Sequence, residues 1–178
     1  MRELENISLI DEFTRPGKQR SIKIEYPYDE YCVGNESYKI ASKSDIELDL
    51  ANLKPGQVFL EGKFSLVIKA PCDRCLKEVD IPLELSFQKE LVDEEHRSKD
   101  ADPDESRFIE GTDFDIGSFI EEEILMALPS KVLCSEDCKG LCPVCGCDRN
   151  VKECDCDTFV PDPRMAGIMD IFKGSKEV

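Results

Sequence analysis

Ten cysteines and one histidine, His96, dominate the chemistry open to this chain. Seven of the ten lie in the stretch Cys134-Ser-Glu-Asp-Cys138-Lys-Gly-Leu-Cys142-Pro-Val-Cys145-Gly-Cys147, closed by Cys154-Asp-Cys156. Thiolates packed this densely repel one another, and a short loop has little regular structure to restrain them, so something must bridge them. Two residues between cysteines let one tight turn aim both sulfurs at a tetrahedral Zn²⁺, as in Cys142-Pro-Val-Cys145, and the following glycine tolerates the positive φ such a knuckle needs. The pattern is echoed far upstream at Pro71-Cys72-Asp-Arg-Cys75. Four sulfurs make a closed structural site, whereas a catalytic zinc keeps a water and usually nitrogen or carboxylate ligands. The residue types therefore predict two structural zinc sites: Cys72, Cys75, Cys134 and Cys138 in one, and Cys142, Cys145, Cys154 and Cys156 in the other. Exchanging the pairs Cys134/Cys138 and Cys142/Cys145 counts equally well. Cys32 stands alone, and Cys147, one residue past a knuckle, is left over. The one-residue spacing of Cys154 and Cys156 is awkward, because residues two apart on an extended chain point the same way and need a turn to splay them onto one metal.

Other bridges fit less well. A disulfide framework needs an oxidising compartment, and Met1-Arg-Glu-Leu-Glu-Asn carries no apolar run of the kind a secretory signal contains, so a cytoplasmic protein is expected. Cys138-x3-Cys142-x2-Cys145 matches the spacing of radical SAM iron–sulfur enzymes, but too few residues follow it for their barrel. Pro71-Cys72-x2-Cys75 matches half of the zinc deaminase signature, whose upstream H-x-E is missing because His96 lies downstream. No catalytic residue and no organic cofactor is assigned.

The thiols need elements to position them. Ser21-Ile-Lys-Ile-Glu-Tyr, Ser37-Tyr-Lys-Ile and Asp45-Ile-Glu-Leu-Asp-Leu read as strands, and Ile7, Leu9 and Ile10 as a short strand or a turn of helix. Beyond the Pro55-Gly56 turn, Val58, Leu60, Phe64, Leu66, Ile68 and Ala70 alternate on one face. Ile81, Leu83, Leu85, Phe87 and Leu91 repeat the pattern after Cys75, so the first knuckle should tip a long antiparallel hairpin. Gly62 within it reads as a bulge. Ile116, Phe119, Ile120, Ile124, Ala127 and Leu128 recur at helical spacing, with Ser118-x-x-Glu121 as a capping box and Pro129 as a stop. The fold class expected is α+β, mainly an antiparallel sheet or small barrel, with a covering helix and a C-terminal zinc-knuckle module. In order, the chain divides into a β domain over 1–92, an acidic flexible loop over 93–112 holding a solvated His96, the helix over 113–130, the cysteine-rich module over 131–157 and a terminal helix over 158–178. That last helix starts at Asp162-Pro163 and carries Met165, Ile168, Ile171 and Phe172 on one side.

Charge narrows the partners. Asp and Glu number 39 against 23 Lys and Arg, a net −16. The excess is local, with 14 acids and 3 bases in residues 90–125 but 12 and 10 in residues 1–70. A site of four thiolates and one Zn²⁺ adds a further −2. A chain so acidic suits a basic protein partner better than bare nucleic acid, whose binding depends on neutralised phosphates. The few bases near the knuckles, Arg74, Lys77, Lys139, Arg149 and Lys152, form the only candidate RNA patch. No apolar run approaches a membrane span, and Glu121-Glu122-Glu123 reads as a solvated face.

A hairpin tipped by Pro-Cys-x2-Cys-Leu, an acidic break, a helix ending in Leu-Pro, then Leu133-Cys134-Ser-Glu-Asp-Cys138-Lys-Gly-Leu-Cys142-Pro-Val-Cys145-Gly, an Asn, a Cys-Asp-Cys and an Asp-Pro-Arg segment together resemble the YceD family in its Gram-positive form, over nearly the whole chain. The resemblance implies a role in accumulation of large-subunit ribosomal RNA and so in ribosome assembly. It also implies that Cys72 and Cys75 share a site with Cys134 and Cys138. The chain departs from the commoner tail by one extra cysteine around Cys147. The function expected is a non-enzymatic assembly factor that binds pre-ribosomal RNA or, as the charge favours, a basic ribosomal protein or a pre-ribosomal large subunit. An RNA-processing enzyme subunit and a thiol-based zinc redox sensor are the alternatives.

Overall fold

The computed structural model describes residues 4–97 and 107–157. The chain opens with β1 (Ile7–Ser8) and α1 (Ile10–Thr14), which bury Leu9 and Phe13 and leave Ile10 outside. Alternating sequence then builds β2 (Gln19–Ile24), β3 (Glu30–Val33), β4 (Glu36–Lys43), β5 (Ile46–Lys54), β6 (Gln57–Pro71) and β7 (Glu78–Val92), all antiparallel in one six-stranded sheet of order β2-β5-β6-β4-β3 with β7 also paired to β6. β4 and β5 lie end to end on β6, since Lys39 to Lys43 face Lys69 to Leu66 and Glu47 to Lys54 face Lys63 to Gln57. The Ser44 N–H donates to the Ser65 carbonyl at 2.8 Å, and the Ser65 N–H donates to Ser44 Oγ at 3.0 Å, which carries the pairing across the break. β2 and β3 follow β5 and β4 in the same manner, so the sheet is a meander of four long strands.

The expected hairpin is present. Along β6 every second residue from Val58 to Ala70 is buried, and β7 buries Leu83, Leu85, Phe87 and Leu91. Against β5, Gly62 is not a bulge: it pairs in register with Leu48, and the shifts in the β4 and β5 pairings fall instead between Ile40 and Ser42 and between Asn52 and Lys54. The glycine is required by packing. A Cβ there would stand 2.8 Å from Leu48 Cδ2 and closer still to the Phe87 ring.

Next come β8 (Ile109–Glu110), β9 (Asp113–Phe114) and α2 (Ile116–Ala127). β1, β9 and β8 form a three-stranded sheet, so Ile109 and Glu110, expected within the acidic loop, are strand residues. Gly111, at φ 63, makes their tight turn. Residues 98–106 of the expected acidic loop and the expected helix over 158–178 lie outside the described residues. His96 is half exposed, with Nδ1 2.8 Å from Asp93 Oδ1, and its ring covers Gly56, whose φ of +76 and lack of a side chain admit it. The cap of α2 is Asp115 rather than Ser118. The Asp115 carboxylate accepts the Ser118 N–H at 3.0 Å and the Ser118 hydroxyl at 2.6 Å, because an acid just before the first helical residue reaches the free N–H groups that a residue already in the turn cannot. Leu128, next to Pro129, is extended and ends the helix. The helix buries Ile116, Phe119, Ile120 and Ile124 and packs against β7. Phe119 stands edge-on to Phe87 at 5.0 Å and to Phe108 at 5.3 Å, with Phe114 tilted at 5.4 Å. Tyr31 donates from its hydroxyl to the Glu121 carbonyl at 3.0 Å.

These elements make one of two compact units, Met1–Ala70 with Glu78–Val132; the other joins Pro71–Lys77 to the chain from Leu133 onward. No helix among the described residues is long and apolar enough to cross a membrane.

Candidate metal centre

The second unit is built on two knuckles with the same backbone hydrogen bonds. In the first, the Leu76 N–H donates to the Cys72 carbonyl at 2.9 Å and the Cys72 N–H to the Lys77 carbonyl at 2.8 Å. In the second, the Gly146 N–H donates to the Cys142 carbonyl and the Cys142 N–H to the Cys147 carbonyl, both at 2.8 Å. Leu76 thus corresponds to Gly146 and Lys77 to Cys147. Leu76 and Gly146 both take positive φ, 62° and 72°. Leu76 is the only described non-glycine residue to do so, at an intrinsic penalty of about 1–2 kcal/mol.

The sulfurs of Cys72, Cys75, Cys134 and Cys138 all lie within 4.8 Å of one another. Cys72 and Cys138 are 3.9 Å apart and Cys75 and Cys134 3.5 Å. A tetrahedron of sulfurs about 2.3 Å from a zinc ion has edges of about 3.8 Å, so the quartet has the size of a four-thiolate site. Polar groups are aimed at the same sulfurs. The Cys134 N–H points at Cys72 Sγ at 3.4 Å, and Asn150 Nδ2 at Cys138 Sγ at 3.5 Å. Such outer donors orient and stabilise metal-bound thiolates.

Proton affinities divide this quartet. Burial works against ionising Cys72, but the N–H groups of Arg74, Cys75 and Cys134 outweigh it and hold the thiol at about 6. The Lys77 N–H favours the Cys75 thiolate, yet burial and the thiols of Cys134, Cys72 and Cys138 push it up to about 12. Cys138 raises Cys134 as well, with burial and Cys72 adding to it, against a lowering contact from Cys75. Four adjacent sulfurs cannot all be anionic unless a cation sits among them.

The second quartet has a different membership from the one expected. Cys142, Cys145, Cys147 and Cys154 bring their sulfurs within 4.8 Å of one another, so Cys147 stands where the spacing placed Cys156. The reason is local: Gly146, at φ 72, turns the chain back on itself directly after Cys145. Cys156 is not remote, because the Cys145 and Cys154 thiols beside it push its pKa up to about 12. Cys142 is held at about 6 by the N–H groups of Cys145 and Val144, and Cys145 is lowered by the Cys147 N–H. The Cys145 and Cys154 thiols push Cys147 up to about 12. Cys32, alone in the sequence, is an exposed residue of β3 in the other unit.

Three residues that the cysteine spacing leaves unassigned join the two clusters. Gly140, at φ 74, lets the Arg74 backbone pass over it, where a Cβ would meet the Arg74 carbonyl at 2.9 Å. Arg74 donates from Nη1 to the Cys138 carbonyl at 2.7 Å, and its own carbonyl accepts the Leu141 N–H at 2.9 Å, so it is committed to the fold of the knuckle. Asn150 accepts the Lys139 N–H at Oδ1 at 2.7 Å while its Nδ2 serves Cys138. Lys139 also lies 3.5 Å from Glu153. The only sequence signal for this framework is a glycine and an asparagine set among the cysteines.

The family profile described as "Large ribosomal RNA subunit accumulation protein YceD" matches residues 60–172, which span the hairpin, α2 and both clusters. The chain belongs to the YceD family. It is also 30% identical over 128 residues to "Uncharacterized protein YlbN" of Bacillus subtilis (strain 168), covering 71% of this chain and 73% of that one. No solved structure matches. As a YceD-family member the chain takes its ribosome-related character from the family name, and its two groups of four close cysteines are a donor set able to bind metal.

Proposed function

We propose that this protein is a non-enzymatic ribosome-assembly factor, supporting accumulation of large-subunit ribosomal RNA, whose C-terminal unit is held together by two zinc ions. Membership of a family named for that accumulation carries the reading. The sulfur quartets support the metal, since all-sulfur tetrahedral sites select zinc or iron–sulfur chemistry and closed four-thiolate zinc sites are structural. Cys72, Cys75, Cys134 and Cys138 would hold one ion, and Cys142, Cys145 and Cys154 three positions of the other. Zinc there would supply charge neutralisation and a crosslink between distant parts of the chain, and no open position for a reacting group.

In this reading the direct partner is a basic ribosomal protein or a pre-ribosomal large subunit that presents one, met through the acids of segment 93–123. The net charge of −16 supports it, together with the commitment of Arg74 to the knuckle, which leaves the nearby bases a poor platform for bare RNA. Depleting the protein in its host should lower large-subunit ribosomal RNA relative to small-subunit RNA, and the native protein should co-purify at low salt with large-subunit particles. An unchanged RNA ratio would overturn the assembly role. Tight binding of ribosomal RNA by the purified protein at physiological salt would overturn the choice of partner.

A further inference from the structure

The six-stranded sheet is open at β2. That strand ends the strand order and pairs only with β5 among the described residues. The Asn52 N–H donates to the Lys18 carbonyl at 2.8 Å, which fixes the phase of the ladder. Arg20, Ile22 and Ile24 therefore turn their backbone groups to β5, and Gln19, Ser21 and Lys23 turn theirs outward. Ile22 and Ile24 are only half-buried although their cross-strand partners Leu48 and Ile46 are wholly buried, so the core layer stops short of this edge.

Beside the edge runs a groove of about 910 Å³. Its far wall is the segment from Leu4 to Ser8, which contains β1, itself paired only with β9 among the described residues. The groove thus lies between the free edges of two sheets, and Arg20 spans it by donating from Nη1 to the Ser8 carbonyl at 3.4 Å. Leu4, Ile22 and Ile24 give it an apolar lining, and Glu5, Glu25 and Arg20 its charges. The Arg20 charge is answered by Glu12, buried with no other partner for its carboxylate, whose Oε1 lies 3.9 Å away. Lys23 is committed to Asp45 and Glu47. Glu5 and Glu25 meet no base among the described residues, so the uncompensated charge of the groove is negative. A free row of N–H and C=O groups beside apolar side chains is a template for one more strand.

We propose that β2 and this groove take an extended basic segment of a partner protein as an added strand. The backbone of the segment pairs with Gln19, Ser21 and Lys23. Every second side chain lies against Ile22 and Ile24, and its lysines or arginines reach Glu5 and Glu25. The far wall leads directly to the acidic segment proposed above as the partner's contact, since Ser8 of β1 pairs with Asp113 of β9. The kind of partner rests on that basic-protein reading; the open edge and the groove do not.

Amide hydrogen exchange of the purified full-length protein tests the proposal with a defined probe, a blocked peptide of about eight residues alternating lysine and valine. The peptide should bind and protect the Gln19, Ser21 and Lys23 N–H groups, which exchange freely without it. A peptide alternating glutamate and valine should not bind. Ser21→Pro removes one outward N–H and leaves the β5 ladder whole, so it should keep the fold and abolish the protection at Gln19 and Lys23. Glu5→Lys with Glu25→Lys should weaken the lysine peptide about tenfold, a readout that stands even if Ser21→Pro fails to fold. Binding that leaves those amides unprotected, or that ignores the charge reversal, would overturn the proposal. A dimer of the free protein that Ser21→Pro dissociates would overturn it too, by giving the edge to a second copy. Large-subunit particles that bind wild type and Ser21→Pro alike would remove the groove and leave the assembly reading standing. Protection by the peptide in a protein that never joins those particles would remove the assembly reading and leave the groove.

Discussion

Asn150 Nδ2 lies 3.5 Å from Cys138 Sγ while Asn150 Oδ1 accepts the Lys139 N–H at 2.7 Å, so one amide serves a sulfur of the first cluster and the backbone that leads to the second. Its two ends need opposite polarities, and only an amide offers both in that space. Asn150→Ala should destabilise the folded tail by about 1–3 kcal/mol through the Lys139 N–H left without its acceptor and speed zinc transfer to a competing chelator. Asn150→Asp should be worse for the metal, because it keeps the acceptor but sets a carboxylate against a thiolate. If Asn150→Asp releases zinc no faster than Asn150→Ala, the contact with Cys138 has no role.

Thiol titration gives a second test. In metal-free protein, thiolate absorbance should rise near pH 6 as Cys72 and Cys142 ionise, with Cys75, Cys147 and Cys156 ionising only near 12. A pKa lowered by folding stabilises the folded form fully above the ordinary thiol value, and that contribution disappears as pH falls through the lowered one. The knuckles should therefore loosen below about pH 6. A single step at the ordinary cysteine pKa would show that the knuckle N–H groups do not hold the sulfurs without metal.

The sheet offers a test independent of the thiols. Gly62→Ala should destabilise the protein by about 1–3 kcal/mol, since the Phe87 ring it would strike is itself held by Phe119. Phe119→Ala removes the centre of the ring cluster and should lower stability by about 3–5 kcal/mol. Thermal unfolding measures both. In the double variant the losses should fall short of additive, because the cavity left by Phe119 gives the Phe87 ring room to move. Strict additivity would show that the glycine and the ring cluster are uncoupled.

The acidic segment should act on the rate of encounter. Replacing Glu121, Glu122 and Glu123 with glutamine should slow association with a basic ribosomal protein, flatten its dependence on salt and leave the zinc content unchanged. Loss of the exposed pair between Glu122 and Arg107 should lower stability by no more than about 1 kcal/mol. An unchanged association rate would remove this face from the interface.

What the sequence disclosed followed from the range of each signal. The hairpin of β6 and β7 was legible because alternation is set residue by residue, and the helix because Ile116, Phe119, Ile120 and Ile124 repeat its period. The two-residue strands β1, β8 and β9 were not, since their pairing joins Ile7 to Phe114 across most of the chain and leaves no local pattern. Gly62 could be seen as unusual, but the Phe87 ring that requires it lies on another strand. Among the thiols, Cys-x2-Cys spacing marked the knuckles. The closeness of Cys147 depends on a turn at Gly146 that the spacing of Cys154 and Cys156 obscured.

The 62 residues separating Cys72 from Cys134 also set an order of events during synthesis. At about 5–20 residues per second, the first knuckle is made roughly 3–12 s before the cysteines that complete its quartet. By then every strand of the meander has been made, so the sheet can form while Cys72 and Cys75 still wait as bare thiols on the growing chain. Closure of that quartet is thus a late event, and a chain that stalls before Cys134 carries the sheet without it.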